Sequence, residues 1–275
     1  MDTESIISLY GSTGFIGSNF KKIYNNYIEI QRDERRPKSN QILYFISTVD
    51  NYNIHTNITL DVETNLKVLC EVLDYCRDGD ITFNFVSSWF VYGETQLPAK
   101  EEYYCMPTGF YSITKKAAED LLISFCKTYG MNYRILRLCN VMGRGDSKVS
   151  AKKNALSYMI DLLKKNEDVY LYDEGTPIRD IMHVNDVCRA IELVCREGNL
   201  NEIYNIGSGQ PTPISAIIET AKQYLGSTSS IKSKEAPEFH KLVQTKDFWM
   251  DTTKLQRLGF TQEISNEQII QELCQ

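Results

Sequence analysis

The sequence has little of what marks metal sites, disulfide frameworks or membrane segments. Its 275 residues include three histidines and eight scattered cysteines, with no CxxC pair and no histidine at a metal-ligand spacing. No apolar run approaches the ~20 residues that a membrane helix requires. The chain opens with the polar residues MDTES, which do not resemble a secretory signal. We therefore expect a cytoplasmic protein that has reduced cysteines, binds no metal and does not enter a membrane.

A basic excess is also missing. The chain carries 30 Lys and Arg against 36 Asp and Glu, a formal net charge of -6, so nucleic acid is not an expected partner. Hydrophobic residues make up 42% and charged residues 24%, which is typical of a globular protein. A chain of this length can bury one large core beside a smaller lobe.

Short apolar runs alternate with amphipathic stretches through the first two thirds of the chain. This alternation predicts an α/β fold of the Rossmann-like, doubly wound kind, in which helices cover a parallel sheet. After Gly143 the alternation changes. We predict a dinucleotide-binding domain over residues 1–143 and a smaller carboxyl-terminal substrate lobe, mainly 144–275, with some segments returning to the main sheet. The predicted strands are 6–10, 27–30, 42–46, 81–87, 133–138, 169–172 and 203–206, the predicted helices are 18–24, 62–76, 111–129, 151–165, 184–196 and 214–225, and the polar residues 227–234 are predicted to form a surface loop.

A glycine-rich turn, GSTGFIG, lies directly between the first predicted strand and the first predicted helix. Glycines there allow a tight turn and close backbone approach, while the helix N-terminus offers N–H groups and a positive dipole end to phosphates. The glycine spacing differs by one residue from the GxGxxG fingerprint, and an ordinary tight turn is the alternative. We predict a dinucleotide site that is formed by Gly11, Thr13, Gly14, Phe15, Ile16 and Gly17.

The end of the second predicted strand bears on which dinucleotide binds. A carboxylate there would hold the ribose 2′-OH of NAD, whereas an arginine would accommodate the extra phosphate of NADP. Gln31 stands about where the acid is expected and Arg32 follows it, which favours NADP(H). Asp33 would instead be the acid, and NAD the cofactor, if the strand ended later. A solvated run of charges explains the segment nearly as well.

Tyr111 and Lys115 lie four residues apart at the start of a long predicted helix and therefore share a face. A nearby cation favours the phenolate and lowers the tyrosine pKa from its ordinary value of about 10. Such a pair suits the proton transfer that accompanies hydride transfer to or from a hydroxyl. Ser88 follows a predicted strand, where its hydroxyl is able to hydrogen-bond the reacting oxygen. Alone, a YxxxK match is better explained as a surface helix pair.

Seven segments in order carry a family resemblance over nearly the whole chain. They are GSTGFIGSNF, VSSWFVYGE, YSITKKAAED, RLCNVMGRGD, GTPIRDIMHVNDVCRAI, IYNIGSGQPTPI and DTTKLQRLGF. Together they resemble the extended short-chain dehydrogenases/reductases, in the NAD-dependent epimerase/dehydratase group that acts on nucleotide sugars. The resemblance implies an NAD or NADP cofactor, a nucleotide-sugar substrate and a homodimer that packs through two helices, 62–76 and 111–129.

The resemblance also implies roles at matching positions. Tyr111 would be the catalytic acid/base, Lys115 would bind the nicotinamide ribose, and Ser88 would orient the sugar hydroxyl. Beside the cofactor, Ser47 opens the segment that replaces a small apolar stretch of the family. For the substrate, Asn140 and Arg179 would line the diphosphate, and Lys241 stands roughly where a second phosphate-binding arginine is common. A structural ion pair of Arg179 with Asp180 or Asp186 is the alternative for that arginine.

Two departures from the family matter. Between Asp33 and Ile42 a further strand and helix, with an acid near the adenine ring, are missing, although Asn65 stands where the family's next helix approaches the cofactor. Where dehydrating and decarboxylating members carry acids, this chain has Trp89 and Phe90, which exchange no proton at physiological pH. These aromatics either line the substrate pocket and favour an apolar sugar face, or belong to the core.

With dehydration and decarboxylation disfavoured, the expected reaction takes place at C4 of the sugar. It is either 4-epimerisation or reduction of a 4-keto sugar, and the sequence favours neither of them strongly. A non-catalytic dinucleotide-sensing or scaffold protein on the same fold is the rival class, because fold does not determine function. The set of Ser88, Tyr111 and Lys115 argues for an enzyme.

Overall fold

A computed structural model describes residues 6–77, 79–146 and 154–275. Its strands are β1 (Ile7–Tyr10), β2 (Tyr27–Ile30), β3 (Gln41–Tyr44), β4 (Thr82–Ser88), β5 (Asn132–Leu138), β6 (Asn140–Met142), β7 (Val169–Tyr172), β8 (Ile178–Arg179), β9 (Ile181–His183), β10 (Glu202–Ile206), β11 (Thr212–Pro213) and β12 (Ile231–Lys234). Its α-helices are α1 (Phe15–Ile23), α2 (Val68–Asp74), α3 (Phe110–Tyr129), α4 (Ala155–Lys164), α5 (Val184–Glu197), α6 (Ile214–Leu225), α7 (Glu238–Val243), α8 (Thr253–Arg257) and α9 (Asn266–Cys274). Shorter helical turns are Asn51–His55, Trp89–Val91, Asp173–Gly175 and the π-helical Val62–Lys67.

The central sheet has six parallel strands in the order β2-β1-β3-β4-β5-β10. Its middle strands are buried on both faces, which explains their continuous apolar character: every residue of β4 is buried. The doubly wound α/β fold that the alternation predicts is therefore confirmed. The order reverses between β1 and β3, and the carboxyl ends of the strands at such a switch point are where ligands of these sheets bind.

The connection from β2 to β3 contains no helix or strand, as the sequence departure predicted. Residues 31–40, all of which the structure describes, run directly from one strand to the other across β1. Ser8 and Tyr10 of β1 hold this connection, because Ser8 Oγ accepts a hydrogen bond from the Lys38 amide and Tyr10 Oη donates to the Arg35 carbonyl. As a result β2 is the edge of the sheet.

Three hydrophobic clusters account for the packing. One face of the sheet, with Ile7 and Leu9, packs against α1 and α5. The other face, with Tyr10 and Tyr44, packs against α2 and α3. A third cluster joins α4, α6 and α9 in the carboxyl-terminal part of the chain. From the same part of the chain, β10 is a strand of the main sheet and α5 packs against that sheet.

The surface-loop prediction over 227–234 is wrong for its second half. Ile231–Lys234 forms β12, which pairs in parallel with β7. This two-stranded ribbon exposes most of β12, so its side chains are polar and carry no hydrophobic alternation.

Other predicted bounds also shift. The first helix begins at Phe15 instead of 18, the predicted helix 62–76 is a π-helical turn followed by α2, and β3 ends at Tyr44. The predicted start of a helix at residues 151–153 lies outside the described residues.

All eight cysteines are free thiols. In the described ranges, no group of three His, Cys, Asp or Glu side chains is arranged to hold a metal ion, and no helix combines the length and apolarity needed to cross a membrane.

Candidate active site

A cavity of about 980 Å³ lies at the carboxyl ends of the central strands. The glycine turn and the ends of β3, β4 and β5 form one wall of the cavity, and segments from α4 to α7 form the other. Among the residues predicted from sequence, those that line it are Gly11, Thr13, Gly14, Phe15, Ile16, Gly17, Ser47, Ser88, Trp89, Phe90, Tyr111, Lys115, Asn140 and Arg179.

The glycine turn has the backbone geometry of a phosphate cradle. Gly11 has a positive φ of 75°, and a Cβ on Gly17 would lie 2.4 Å from the Gly11 carbonyl oxygen. Gly14 is the N-cap of α1 and supplies no side-chain cap, so the first N–H groups of that helix face the cavity unpaired by a side chain. These groups and the helix dipole fit the pyrophosphate of a dinucleotide.

Ser88, Ser47 and Tyr111 converge inside the cavity. Ser88 ends β4, and Tyr111 is the second residue of α3, whose N-cap is Gly109. Burial raises the pKa of Tyr111 to about 12, while hydrogen bonds of its phenol with Ser88 and Ser47 act in the opposite direction. Three hydroxyl groups from β4, α3 and the segment after β3 therefore surround one point in the cleft.

Lys115 lies one helical turn beyond Tyr111 and is also buried. Its Nζ donates to the Val86 carbonyl at 2.7 Å and lies 4.1 Å from the centroid of the Phe85 ring. Burial lowers the pKa of Lys115 to about 7, and the carboxylate of Glu119 raises it. Lys115 thus exchanges its proton near neutral pH, unlike a surface lysine.

Asn65 holds the segment after β3 against α3. It lies in the π-helical turn, a geometry common at functional sites. Its Oδ1 accepts from the Thr48 amide at 2.9 Å, and its Nδ2 donates to Oγ1 of Thr48 and of Thr114, both at 2.9 Å. Ser47 Oγ also donates to Asn65 Oδ1 at 3.2 Å. This network positions Ser47 beside the phenol.

The sequence left open whether Trp89 and Phe90 line the substrate pocket or belong to the core, and the structure gives a different answer for each of them. Trp89 is 3% exposed and stacks on Phe90 and Phe248, with ring centroids 4.0 and 4.7 Å apart. Phe90 is partly exposed and points its ring edge-to-face at Tyr111, at 6.0 Å. Both side chains line the cavity. Trp89 is therefore a core residue at the cavity wall, and Phe90 is the aromatic that faces the phenol.

Arg179 is half-buried and forms no ion pair in the described part of the chain, although the nearby Asp247 carboxylate acts to raise its pKa. Its Nη1 donates to the carbonyls of Ile178 and Lys246, and burial lowers its pKa to about 10. The alternative pairing with Asp180 or Asp186 is not found, because Asp180 accepts hydrogen bonds from the 208–209 turn and Met250, and Asp186 pairs with Arg189. A desolvated guanidinium of this kind suits an anionic ligand.

Asn140 lies beside this cation. Its Nδ2 donates to the Asp180 carbonyl at 3.1 Å, which joins β6 to the strand that follows Arg179. The two predicted diphosphate residues thus both line the cavity, one from each wall.

Two predicted residues do not reach the cavity. Lys241 lies on α7 and pairs on the surface with Glu235 and Glu238. Arg32 lies in an exposed turn after β2. Neither of them lines the cleft, whereas Lys234, at the end of β12, does. The sequence signal for Lys234 was missed because β12 itself was not predicted.

A contact between the two walls was also missed. Tyr52 Oη and His240 Nδ1 lie 2.7 Å apart, and both residues line the cavity. The His240 ring also lies against Tyr172, with centroids 4.7 Å apart. The two partners are 188 residues apart in the chain, and no local sequence pattern predicts such a contact.

Comparison with known proteins identifies the family to which the chain belongs. The model of the NAD dependent epimerase/dehydratase family matches residues 37–207. A putative UDP-glucose 4-epimerase from Methanocaldococcus jannaschii is 27% identical, over 94% of each chain. A dTDP-glucose 4,6-dehydratase from Streptomyces antibioticus is 27% identical, over 64% of this chain and 52% of that protein.

Solved structures agree in fold. The UDP-glucose 4-epimerase of Thermotoga maritima, in complex with UDP-glucose, has a TM-score of 0.85 and 22% identity, covering 98% of this chain and 97% of that one. The protein RMD of Pseudomonas aeruginosa, in complex with NADPH, has a TM-score of 0.83 and 21% identity, covering 98% of each chain. At such identities the likeness shows a shared Rossmann-type fold.

Proposed function

The chain belongs to the NAD-dependent epimerase/dehydratase family, and from this premise we propose that it transfers a hydride between a nicotinamide dinucleotide and C4 of a nucleotide sugar. The observation that carries the proposal is the convergence of Ser88, Ser47 and Tyr111 in one cavity, with Lys115 one helical turn away. A bound nicotinamide ring supplies the hydride acceptor or donor, and the phenol supplies the accompanying proton transfer.

The catalytic roles follow from the positions of the side chains. Ser88 Oγ orients the C4 oxygen, and Tyr111 Oη takes or gives its proton. A phenol with a raised pKa is a poor base, so it depends on positive charge nearby. In its protonated form, Lys115 Nζ provides that charge, and it binds the nicotinamide ribose. Asn65 acts through Ser47 and Thr48, which makes it a positioning residue.

Binding roles divide along the cavity. The turn from Gly11 to Gly17 and the N-terminus of α1 hold the cofactor pyrophosphate. Arg179, from the proposed substrate lobe, and Asn140, at the end of the proposed dinucleotide-binding domain, hold the diphosphate of the sugar nucleotide. Arg32 is exposed and does not line the cavity, and we retain it as a proposed determinant of NADP(H) preference.

Among reactions at C4, 4-epimerisation is the first candidate, in agreement with the name of the M. jannaschii relative. A 4-keto-sugar reductase is the second, favoured by Arg32 and its preference for a phosphorylated cofactor. Dehydration is disfavoured, even though a dehydratase is among the relatives, because Trp89 and Phe90 offer no proton where such an enzyme needs an acid.

The test starts from the cofactor that copurifies with the protein and a panel of 4-hydroxy and 4-keto nucleotide sugars. Interconversion without net redox change identifies an epimerase, and stoichiometric loss of NAD(P)H identifies a reductase. Tyr111→Phe should lower turnover by about 10²- to 10⁴-fold and leave cofactor binding nearly unchanged. A wild-type protein that binds a dinucleotide but turns over no sugar in the panel would instead be a sensor or scaffold.

A further inference from the structure

The cavity has a wall of strand ends on only one side of the glycine turn. On the side of β3, β4 and β5, the strand ends contribute Ser47, Ser88 and Asn140 to its wall. On the other side the sheet ends at β2, and none of residues 27–41, all of which the structure describes, lines the cavity. A dinucleotide whose pyrophosphate lies at the start of α1 extends both ways along the strand ends. Its two nucleosides therefore meet different surroundings.

The short connection after β2 causes this asymmetry. Residues 31–40 cross the face of the sheet instead of building a wall beside the end of β2. The Tyr10 hydroxyl donates to the Arg35 carbonyl at 2.7 Å, and the Lys38 amide donates to Ser8 Oγ at 2.9 Å. These bonds hold the connection over β1, and the sheet order leaves no further strand whose loop would cover a base.

Two charged side chains near this end, Glu29 and Arg35, are engaged within the protein. On β2, the Glu29 carboxylate accepts from the Ser12 hydroxyl at 3.0 Å and from the Lys21 ammonium at 2.7 Å. On the connection, Arg35 Nε donates to the Glu71 carboxylate at 2.7 Å. A base is recognised when buried polar groups pair with its edge, and these groups already have partners within the protein.

We propose that the protein binds nicotinamide dinucleotides by their pyrophosphate and nicotinamide halves, and that the base of the distal nucleoside adds little to affinity. This rests on the proposed function, since it presupposes that a dinucleotide binds. The accepted cofactors then include nicotinamide dinucleotides that carry a purine other than adenine.

Calorimetric titration of the wild-type protein tests this with NADH and reduced nicotinamide hypoxanthine dinucleotide, in which a carbonyl replaces the adenine amino group. We expect dissociation constants within about threefold of each other. A loss of about tenfold or more for the hypoxanthine cofactor would overturn the proposal, because that is the effect of an unpaired buried polar group. Failure of both dinucleotides to bind would overturn the proposed function as well, so the two failures are distinguishable.

Fragments provide a second readout that does not depend on turnover. Reduced nicotinamide mononucleotide should displace NADH at a lower concentration than adenosine monophosphate does, because the enclosed half of the site receives the nicotinamide. Competition by adenosine monophosphate that is equal or stronger would contradict the proposal. Both are measured by competition calorimetry against NADH, because reduced nicotinamide mononucleotide carries the same fluorescent ring as NADH.

Discussion

Burial works against the positive charge of Lys115, which we propose binds the nicotinamide ribose. The residue is 2% exposed, and desolvation lowers its pKa to about 7 from an ordinary value of 10.5, against the influence of Glu119. Between those two pH values the unfolded chain binds this proton more readily than the folded protein. Because stability rises with pH wherever the unfolded state carries more protons, this one group makes the protein more stable at alkaline pH.

Substituting Lys115→Met should remove that contribution. In urea unfolding at about pH 7 and about pH 9.5, the free energy of unfolding should rise by about 1–3 kcal/mol more in the wild type than in the variant. Taking the difference between the two proteins cancels the other groups that titrate in this range. An identical pH dependence in both would mean that Lys115 stays charged in the folded state.

Two lysines of the carboxyl-terminal part of the chain differ in position, one in the cavity and one on the surface, so that substituting each of them distinguishes the two locations. Lys234 lines the cavity, whereas Lys241 is bound to Glu235 and Glu238 outside it. Lys234→Ala should raise the KM for the nucleotide sugar by about three- to tenfold, through the loss of a cation that lines the cavity proposed to bind the diphosphate. Lys241→Ala should leave the KM within about twofold, as for a surface ion pair. Steady-state kinetics with the reverse pattern would support the original sequence prediction for Lys241.

At the scale of elements, a buried ion pair ties α3 to β5 and β4. The Glu119 carboxylate of α3 accepts from Arg137 Nε at 3.1 Å and Nη2 at 2.8 Å, and from Ser87 Oγ at 2.6 Å. Both charged side chains are at most 3% exposed. Since Ser87 precedes Ser88 and Glu119 lies one turn after Lys115, the pair holds together the elements that carry the proposed catalytic residues.

Glu119→Gln should therefore destabilise the protein strongly. It leaves the Arg137 guanidinium buried without its counter-charge, at a cost of about 3–5 kcal/mol in the free energy of unfolding. Asp120→Asn on the same helix is the matched control, because its pair with Lys116 is on the surface and is worth about 1 kcal/mol or less. Equal effects of the two variants in chemical denaturation would refute this assignment.

What the sequence predicts well is what local patterns encode. The alternation of buried strands and amphipathic helices identifies the sheet, and i, i+4 spacing brings Tyr111 and Lys115 to one face. β12 was missed because its pairing with β7 joins Ile231 to Val169, far away in the chain, and its side chains are exposed. Lys234 was missed with it. The contact of Tyr52 with His240 depends on the same long-range packing.

For the whole molecule, two helices leave an apolar stripe uncovered. On α3 it consists of Ile113, Ala117 and Leu121, of which Ile113 is 46% and Leu121 42% exposed. Beside it, Leu66 and the exposed Cys70 continue the stripe from the π-helical turn into α2. We propose that a second copy of the chain covers this face, because helices expose such stripes where a partner packs against them.

Sedimentation velocity measures this directly. The wild-type protein should sediment as a dimer, at twice the chain mass of 31.6 kDa. Leu121→Glu should shift it to the monomer by burying charge in the interface, whereas Leu242→Glu, at a leucine that is 69% exposed on α7, should leave the dimer intact. A wild-type monomer at micromolar concentration would contradict the proposal.

Hydride transfer at C4 is the central claim, and isotope tracing tests it most directly. The 4-hydroxy nucleotide sugars of the panel, deuterated at C4, are incubated with the protein and its oxidised cofactor, and the nicotinamide ring and the recovered sugar are examined by mass spectrometry. We expect deuterium in the nicotinamide ring during turnover, and its return to C4 if the enzyme is an epimerase. Turnover with deuterium released to solvent, or retained at C4 throughout, would contradict the account.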